Sequence, residues 1–350
     1  MRLRFAAPLL FAVLAGCDTP PADTVTVVNQ LSQQMLADYQ HWASASAALA
    51  NSAQALCQQG GSLTASQQTW RETFNAWAAL QPALIGPLAE QNRSWQVQFW
   101  PDKKNLVGRQ VKMLLDANPN IDQAKLDKSS VVLQGLSAAE YLLFDQSIDL
   151  SQAEQQARYC GLLLAIGGHQ TQLSQDMLSA WQGAQGFAAT LSNTPNQRFT
   201  EPQESLAELL RTQVSSLELM KKKLGTAIGR LSKGIAQPYQ AEAWRADASL
   251  DSLRASLASL QTLWGQAQQV GLRDLVNDAA LRERIEHQHA QTHDTFAAFT
   301  SGLQSLLSNS DDQQRLDKAY LELAELQRLY EKDLARALNI QMGFNAHDGD

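Results

Sequence analysis

Apolar positions along this chain recur every three or four residues, the spacing of one helix face and not the alternation of a strand. The plainest run lies near the end. Leu316, Tyr320, Leu323, Leu326, Tyr330, Leu334 and Leu338 form one stripe, with Asp, Lys, Glu and Arg on the other side. A second stripe passes through Leu281, Ile285, Phe296, Phe299, Leu303 and Leu306. A third passes through Leu206, Leu209, Leu210, Val214, Leu217, Leu224 and Ile228. No alternating segment of useful length interrupts them. Pro82, Pro87, Pro101, Pro119, Pro195, Pro202 and Pro238 fall where helices should begin or end. The pattern predicts an all-α fold of bundled helices. At residues 192–203, Asn, Thr and two prolines replace the helical spacing, which divides the chain into bundles at 30–191 and 203–350. Residues 80–105 are irregular and aromatic, with Trp95 and Trp100; such a connection either shapes a binding surface or covers a bundle end.

The first residues carry a different pattern. Arg2 and Arg4 precede an apolar stretch at 6–14, and Leu14-Ala15-Gly16-Cys17 follows. This is the order of a secretory signal, too short to be a membrane span. The ending resembles a bacterial lipobox, which implies cleavage after Gly16 and acylation of the Cys17 thiol. Asp18, by resemblance to sorting signals, implies the inner membrane. Residues 17–29 then read as a tether holding the body in the periplasm, close to that membrane.

Composition narrows the classes. The 350 residues carry a formal charge of −7, which becomes −9 once Arg2 and Arg4 leave with the signal. An acidic exported chain is a poor ligand for nucleic acid or anionic lipid. Besides Cys17 only Cys57 and Cys160 remain. In an oxidising compartment they form either a disulfide or two buried thiols.

Several patches resemble the imelysin family, the exported proteins also called iron-regulated or peptidase M75 proteins. They are Trp70-Arg71, Trp77, Gly86-Pro87 and Trp100-Pro101-Asp102; Gly135-Leu136-Ser137-Ala138-Ala139-Glu140-Tyr141; and the ending Gly343-Phe344-Asn345-Ala346-His347-Asp348-Gly349-Asp350. A weaker patch holds Lys223, Gly225, Pro238, Glu242, Trp244 and Arg245. The resemblance implies two helical domains, a link to iron uptake with other envelope iron-system proteins as partners, and a site around a Gly-x-His-x-x-Glu helix between the domains. Ser137 stands where that family carries histidine.

With residues 131–144 taken as a helix, Ser137 and Glu140 share a face. Serine is a poor ligand for iron or zinc and no general base, so the expected role is binding and not catalysis. Glu140 then either pairs with Arg71 or Arg245 in a structural role, or walls a ligand pocket with Gly135, Ser137, Trp77, Trp100, Asp102 and Arg245. The alternatives are an M75-type peptidase and an envelope scaffold. No His-Glu-x-x-His sequence supports a helical metalloprotease. Glu286, His289 and His293 have the spacing of one helix face and form a weak metal candidate, iron being the ion the resemblance suggests. At the end of the chain, Asp348 and Asp350 with the terminal carboxylate either bind a cation or belong to a tail that Gly343 releases from the last helix and Phe344 docks.

Overall fold

The computed structural model describes residues 22–118, 120–266 and 268–343. The signal, Cys17, Asp18 and the tail from Phe344 to Asp350 lie outside the described residues. Those described form helices and turns, with no β-strand beyond an isolated bridge between Gln266 and Gln269.

The first half is built on α1 (Thr24–Gln58), which packs along both α2 (Leu63–Leu80) and α5 (Ala153–Trp181). Asp23 starts α1 by accepting the Thr26 N–H at 2.8 Å, and Ser62 caps α2 through the Ala65 N–H at 3.0 Å. Residues 24–29 are thus helix and not tether; Val27 and Val28 are buried in the core. Between α2 and α5 run α3 (Leu106–Ala117) and α4 (Leu136–Phe144). The second half holds α6 (Pro202–Ala227), α7 (Ser249–Trp264), α8 (Ala279–Ala297) and α9 (Ser310–Arg328). Pro202 occupies the first turn of α6, where no amide donor is needed.

Three helix predictions need correction. Residues 131–144 are not one helix: Gly135 adopts an extended conformation between a single turn, Val131–Gln134, and α4. The second stripe is also broken, because α8 ends at Ala297 and Leu303–Leu306 forms a separate turn. The last helix continues beyond α9 through a π turn, Leu329–Leu334, and stops at Ala337 rather than at Gly343. Asn339 takes the left-handed conformation (φ 53°), and the Ile340 N–H returns to the Ala335 carbonyl at 2.8 Å. Asn is the residue besides glycine that tolerates this termination.

The chain does leave the helical pattern near residues 192–203, but its core does not divide there. Buried apolar side chains form one continuous cluster from Val27 to Ile340. Helix α2 lies against α7, and the Ser256 hydroxyl donates to the Ala78 carbonyl at 2.8 Å. Cys57, at the end of α1, is disulfide-bonded to Cys160 near the start of α5, 103 residues away. A bridge closing so long a loop restricts the unfolded chain strongly. Replacing both cysteines by alanine should lower unfolding stability by about 2–5 kcal/mol, read from the denaturant midpoint and slope together, since the released unfolded chain exposes more surface. An unchanged free energy of unfolding would show that the bridge adds nothing.

Candidate functional site

The seam between the halves is organised by a strap, residues 94–105, that lies across the start of α4. Gly135 lets it approach. A Cβ at this position would sit 2.3 Å from the Val97 carbonyl oxygen and 2.7 Å from that of Gln96. Gln170 of α5, fully buried, donates its amide to the Gln96 carbonyl at 2.8 Å and the Gln134 carbonyl at 3.1 Å. Ser137 completes the join: its hydroxyl donates to the Phe99 carbonyl at 2.9 Å and accepts the Phe99 N–H at 3.1 Å.

Glu140, one turn further along α4, reaches the other half. Its Oε1 accepts the backbone N–H groups of Arg245 at 2.8 Å and Ala246 at 3.0 Å. These belong to a tight turn in which Ala243 and Asp247 have positive φ. Burial pushes the Glu140 carboxyl up to about 7, although both backbone N–H groups and the Arg245 charge oppose this.

The Arg245 guanidinium pairs elsewhere. It donates to Asp145 at 2.9 Å and Asn105 at 2.7 Å, lies 4.0 Å from Asp102, and stacks over Trp244 with 4.4 Å to the ring centre. Burial raises the Asp145 carboxyl, but its bonds to Ser147 and Arg245 together hold it below the ordinary carboxylate value. Asp102 Oδ1 starts α3 by accepting the Leu106 and Val107 N–H groups, while its Oδ2 is buried without a hydrogen-bond partner. Arg71, the other arginine expected beside Glu140, instead sits 5.1 Å over the Phe144 ring.

The strap separates two openings. On one side a cleft of about 560 Å³ is walled by Tyr239, Trp244, Lys104 and Asp102, with Arg245 and Asp145 at its base. On the other a smaller cavity of about 200 Å³ lies among Trp77, Trp95, Trp100, Lys223 and Glu242. The predicted wall residues are thus divided: Trp77 and Trp100 face the small cavity, Asp102 and Arg245 the larger cleft. Gly135, Ser137 and Glu140 line neither and lie in the seam beneath. The geometry adds Gln98, Lys223, Glu242, Asp145 and Tyr239. Of these, Lys223 and Glu242 stood in the weaker resembling patch.

The second candidate, on α8, does not assemble. His289 is buried, its Nε2 is 2.8 Å from the Tyr330 hydroxyl, and burial lowers its pKa to about 3. Glu286 pairs with Arg273 at 3.1 Å, and His293 lies exposed beside Asp294. The apolar stripe turns His289 into the core and its neighbours away from it. Among the described residues no three His, Cys, Asp or Glu side chains converge as a metal site.

A family model described as imelysin, peptidase M75, matches residues 35–330. The chain belongs to the imelysin family. An imelysin-like protein from Psychrobacter arcticum 273-4 has a similar crystal structure, with a TM-score of 0.78 at 21% identity, over 92% of this chain and 97% of that one. A protein from Parabacteroides distasonis ATCC 8503, provisionally named an iron-regulated protein A precursor, gives 0.68 at 14% identity over 90% and 96%. At these identities the likeness is one of fold. No curated protein sequence matches the chain.

The buried Glu140 sets a pH dependence on this imelysin. Its carboxyl titrates near 4.5 in the unfolded chain and about 7 in the folded one. The folded state therefore holds an extra proton between those values. The stability this confers is complete below pH 4.5 and lost as pH rises through 7, by an amount of order 3 kcal/mol. Glu140→Gln retains an acceptor for both N–H groups and should flatten this part of the profile. Glu140→Ala leaves those groups unpaired and should destabilise by about 2–4 kcal/mol. Thermal unfolding from pH 5 to 8 checks both; equal slopes for wild type and Glu140→Gln would refute the assignment.

Proposed function

We propose that this imelysin is an exported lipoprotein that serves iron acquisition by binding and not by catalysis. Its ligand, a small molecule, a metal complex or a segment of an envelope partner, seats in the cleft lined by the contacting rings of Tyr239 and Trp244 together with Lys104. The observation that carries this reading is that the motif side chains are committed to the scaffold while a cleft stands open beside them. The Ser137 hydroxyl is bonded as donor and acceptor to one backbone residue, a poor arrangement for a nucleophile. Glu140 accepts two backbone N–H groups. The cleft is within the ~300–1,000 Å³ range of small-molecule sites and combines aromatic walls with a few fixed charges. The lipobox ending at Cys17 and the acidic Asp18 support a body tethered at the inner membrane. No helix among the described residues is long and apolar enough to cross a membrane.

Deleting the protein from a bacterium that carries it should slow growth under iron limitation and not in replete medium. Wild type should restore growth. A Tyr239→Ala, Trp244→Ala chain of unchanged melting temperature should not. Iron-limited growth indifferent to the deletion, or full rescue by that double variant, would refute the reading. Purified protein should release no peptides from casein above a blank.

The anchor is tested separately. Cys17→Ser should move the protein from the membrane to the soluble envelope fraction, and a protein that stays on membranes would rule out the lipid link.

A further inference from the structure

We propose that the small cavity on the far side of the strap is a second binding site, specific for a neutral, planar ring that carries oxygen acceptors and is one to two rings in size. The proposal rests on the reading of the seam as a binding region, but concerns the opposite face from the Tyr239 cleft.

The floor is polar and already internally neutral. Lys223 and Glu242 form an ion pair at 2.5 Å with both side chains almost fully buried. Around it, Lys223 donates to Gln81 at 2.7 Å and Gln98 donates to Glu242 at 2.8 Å. Trp77 donates its indole N–H to the Gln98 carbonyl at 2.6 Å, and Ser252 donates to the second Glu242 oxygen at 2.6 Å. Each side-chain acceptor oxygen of this network therefore already takes at least one bond, while several of its N–H groups make none. An ammonium carries three N–H groups and a primary amide two. Lys223 uses two of its three, Gln98 one of its two, and the Gln81 amide nitrogen has no partner among the described residues. The Trp95 indole on the rim is 40% exposed and adds another free donor. The cavity thus offers surplus donors between indole walls, so a ligand must supply acceptors.

Charge and size decide among acceptor ligands. A cation meets the Lys223 ammonium beside a carboxylate, Glu242, that Lys223, Gln98 and Ser252 already hold. An anion meets an ammonium whose charge Glu242 cancels at 2.5 Å, and negatively polarised indole faces oppose it. A polyol brings as many donors as acceptors, and its donors would lack partners. A neutral ring with carbonyl oxygens satisfies the floor and stacks on the walls. The ~200 Å³ volume is below the range for drug-sized ligands, so one or two rings fill it.

The probe is 1,3-dimethyluracil, planar, neutral and rich in acceptors, with no N–H of its own. Titration calorimetry on the mature chain should give a Kd below about 1 mM. Glucose and benzoate should bind at least tenfold more weakly. Trp95→Ala removes a half-exposed ring that makes no hydrogen bond, so the fold should tolerate it. It should weaken the probe about tenfold, as expected for the loss of one stacking partner, and Trp95→Phe should recover most of it. Tyr239→Ala, in the other cleft, should leave probe binding unchanged. Three outcomes would overturn the proposal: no saturable heat with the probe, tighter binding of benzoate or glucose, or a Trp95→Ala affinity equal to wild type. None of these bears on the iron-limited growth phenotype, so the two readings can fail independently.

Discussion

Everything at the seam depends on one buried carboxylate. Glu140 leaves water, and an ionised group in that position is costly unless its lone pairs are filled. Its Oε1 accepts two successive backbone N–H groups of the other half, those of Arg245 and Ala246, and burial still raises the carboxyl to about 7. Backbone donors cannot swing away as a side chain can, so the bond fixes the turn and not merely a contact. Fixing the turn fixes what flanks it. Glu242 is held on one side, against Lys223, and Arg245 on the other, against Asp145. A single acceptor on α4 thereby sets the base of both openings.

The strap is the second dependence. It can lie where it does only because position 135 has no Cβ and position 137 offers one small atom that both donates and accepts. Gln170 ties the carbonyls on either side of that contact, and Trp70 donates its indole N–H to the Leu136 carbonyl at 2.9 Å. Backbone groups that leave regular structure at Gly135 are thus satisfied by side chains from α2 and α5, as burial requires. The irregular segment is consequently as determined as the helices around it.

Much of the fold was legible because helix periodicity and burial are local properties of the sequence. The stripes through Leu206–Leu224 and Leu316–Leu326 appear as buried faces of α6 and α9. What periodicity could not show was backbone geometry set by distant neighbours. Nothing local distinguishes Gly135 from a glycine tolerated inside a helix; the Val97 carbonyl, 38 positions away, is what excludes a Cβ there. The paired halves behaved similarly. A linker was visible at residues 192–203, but contacts such as Ser256 to Ala78 unite the core across it. At the candidate site, Glu140 and Arg245 were both recognisable, yet the bond runs to the arginine's backbone and its guanidinium goes to Asp145. Sequence lists side-chain chemistry; which atom of a residue is presented is decided by the turn that carries it.

The same distinction governs where binding can occur. A residue whose lone pairs and protons are engaged by the scaffold has little left for a ligand, however suggestive its position in a motif. Ser137 is in that condition, and His289, driven neutral by burial and bonded to Tyr330, is as well, while Glu140 commits its Oε1 to the turn. Residual capacity sits instead at groups the motif does not name: the unshared N–H groups of Lys223, Gln81 and Gln98, and the half-exposed rings of Trp95 and Tyr239. Counting unsatisfied capacity therefore leads away from the motif helix to the two openings it supports. Their electrostatics also differ for a physical reason. In the small cavity the ion pair is shut among indoles, where an uncompensated charge would be most costly, and it is neutral. In the larger cleft Arg245 is likewise paired, with Asp145 and Asn105, and the exposed Lys104 carries a charge that water screens.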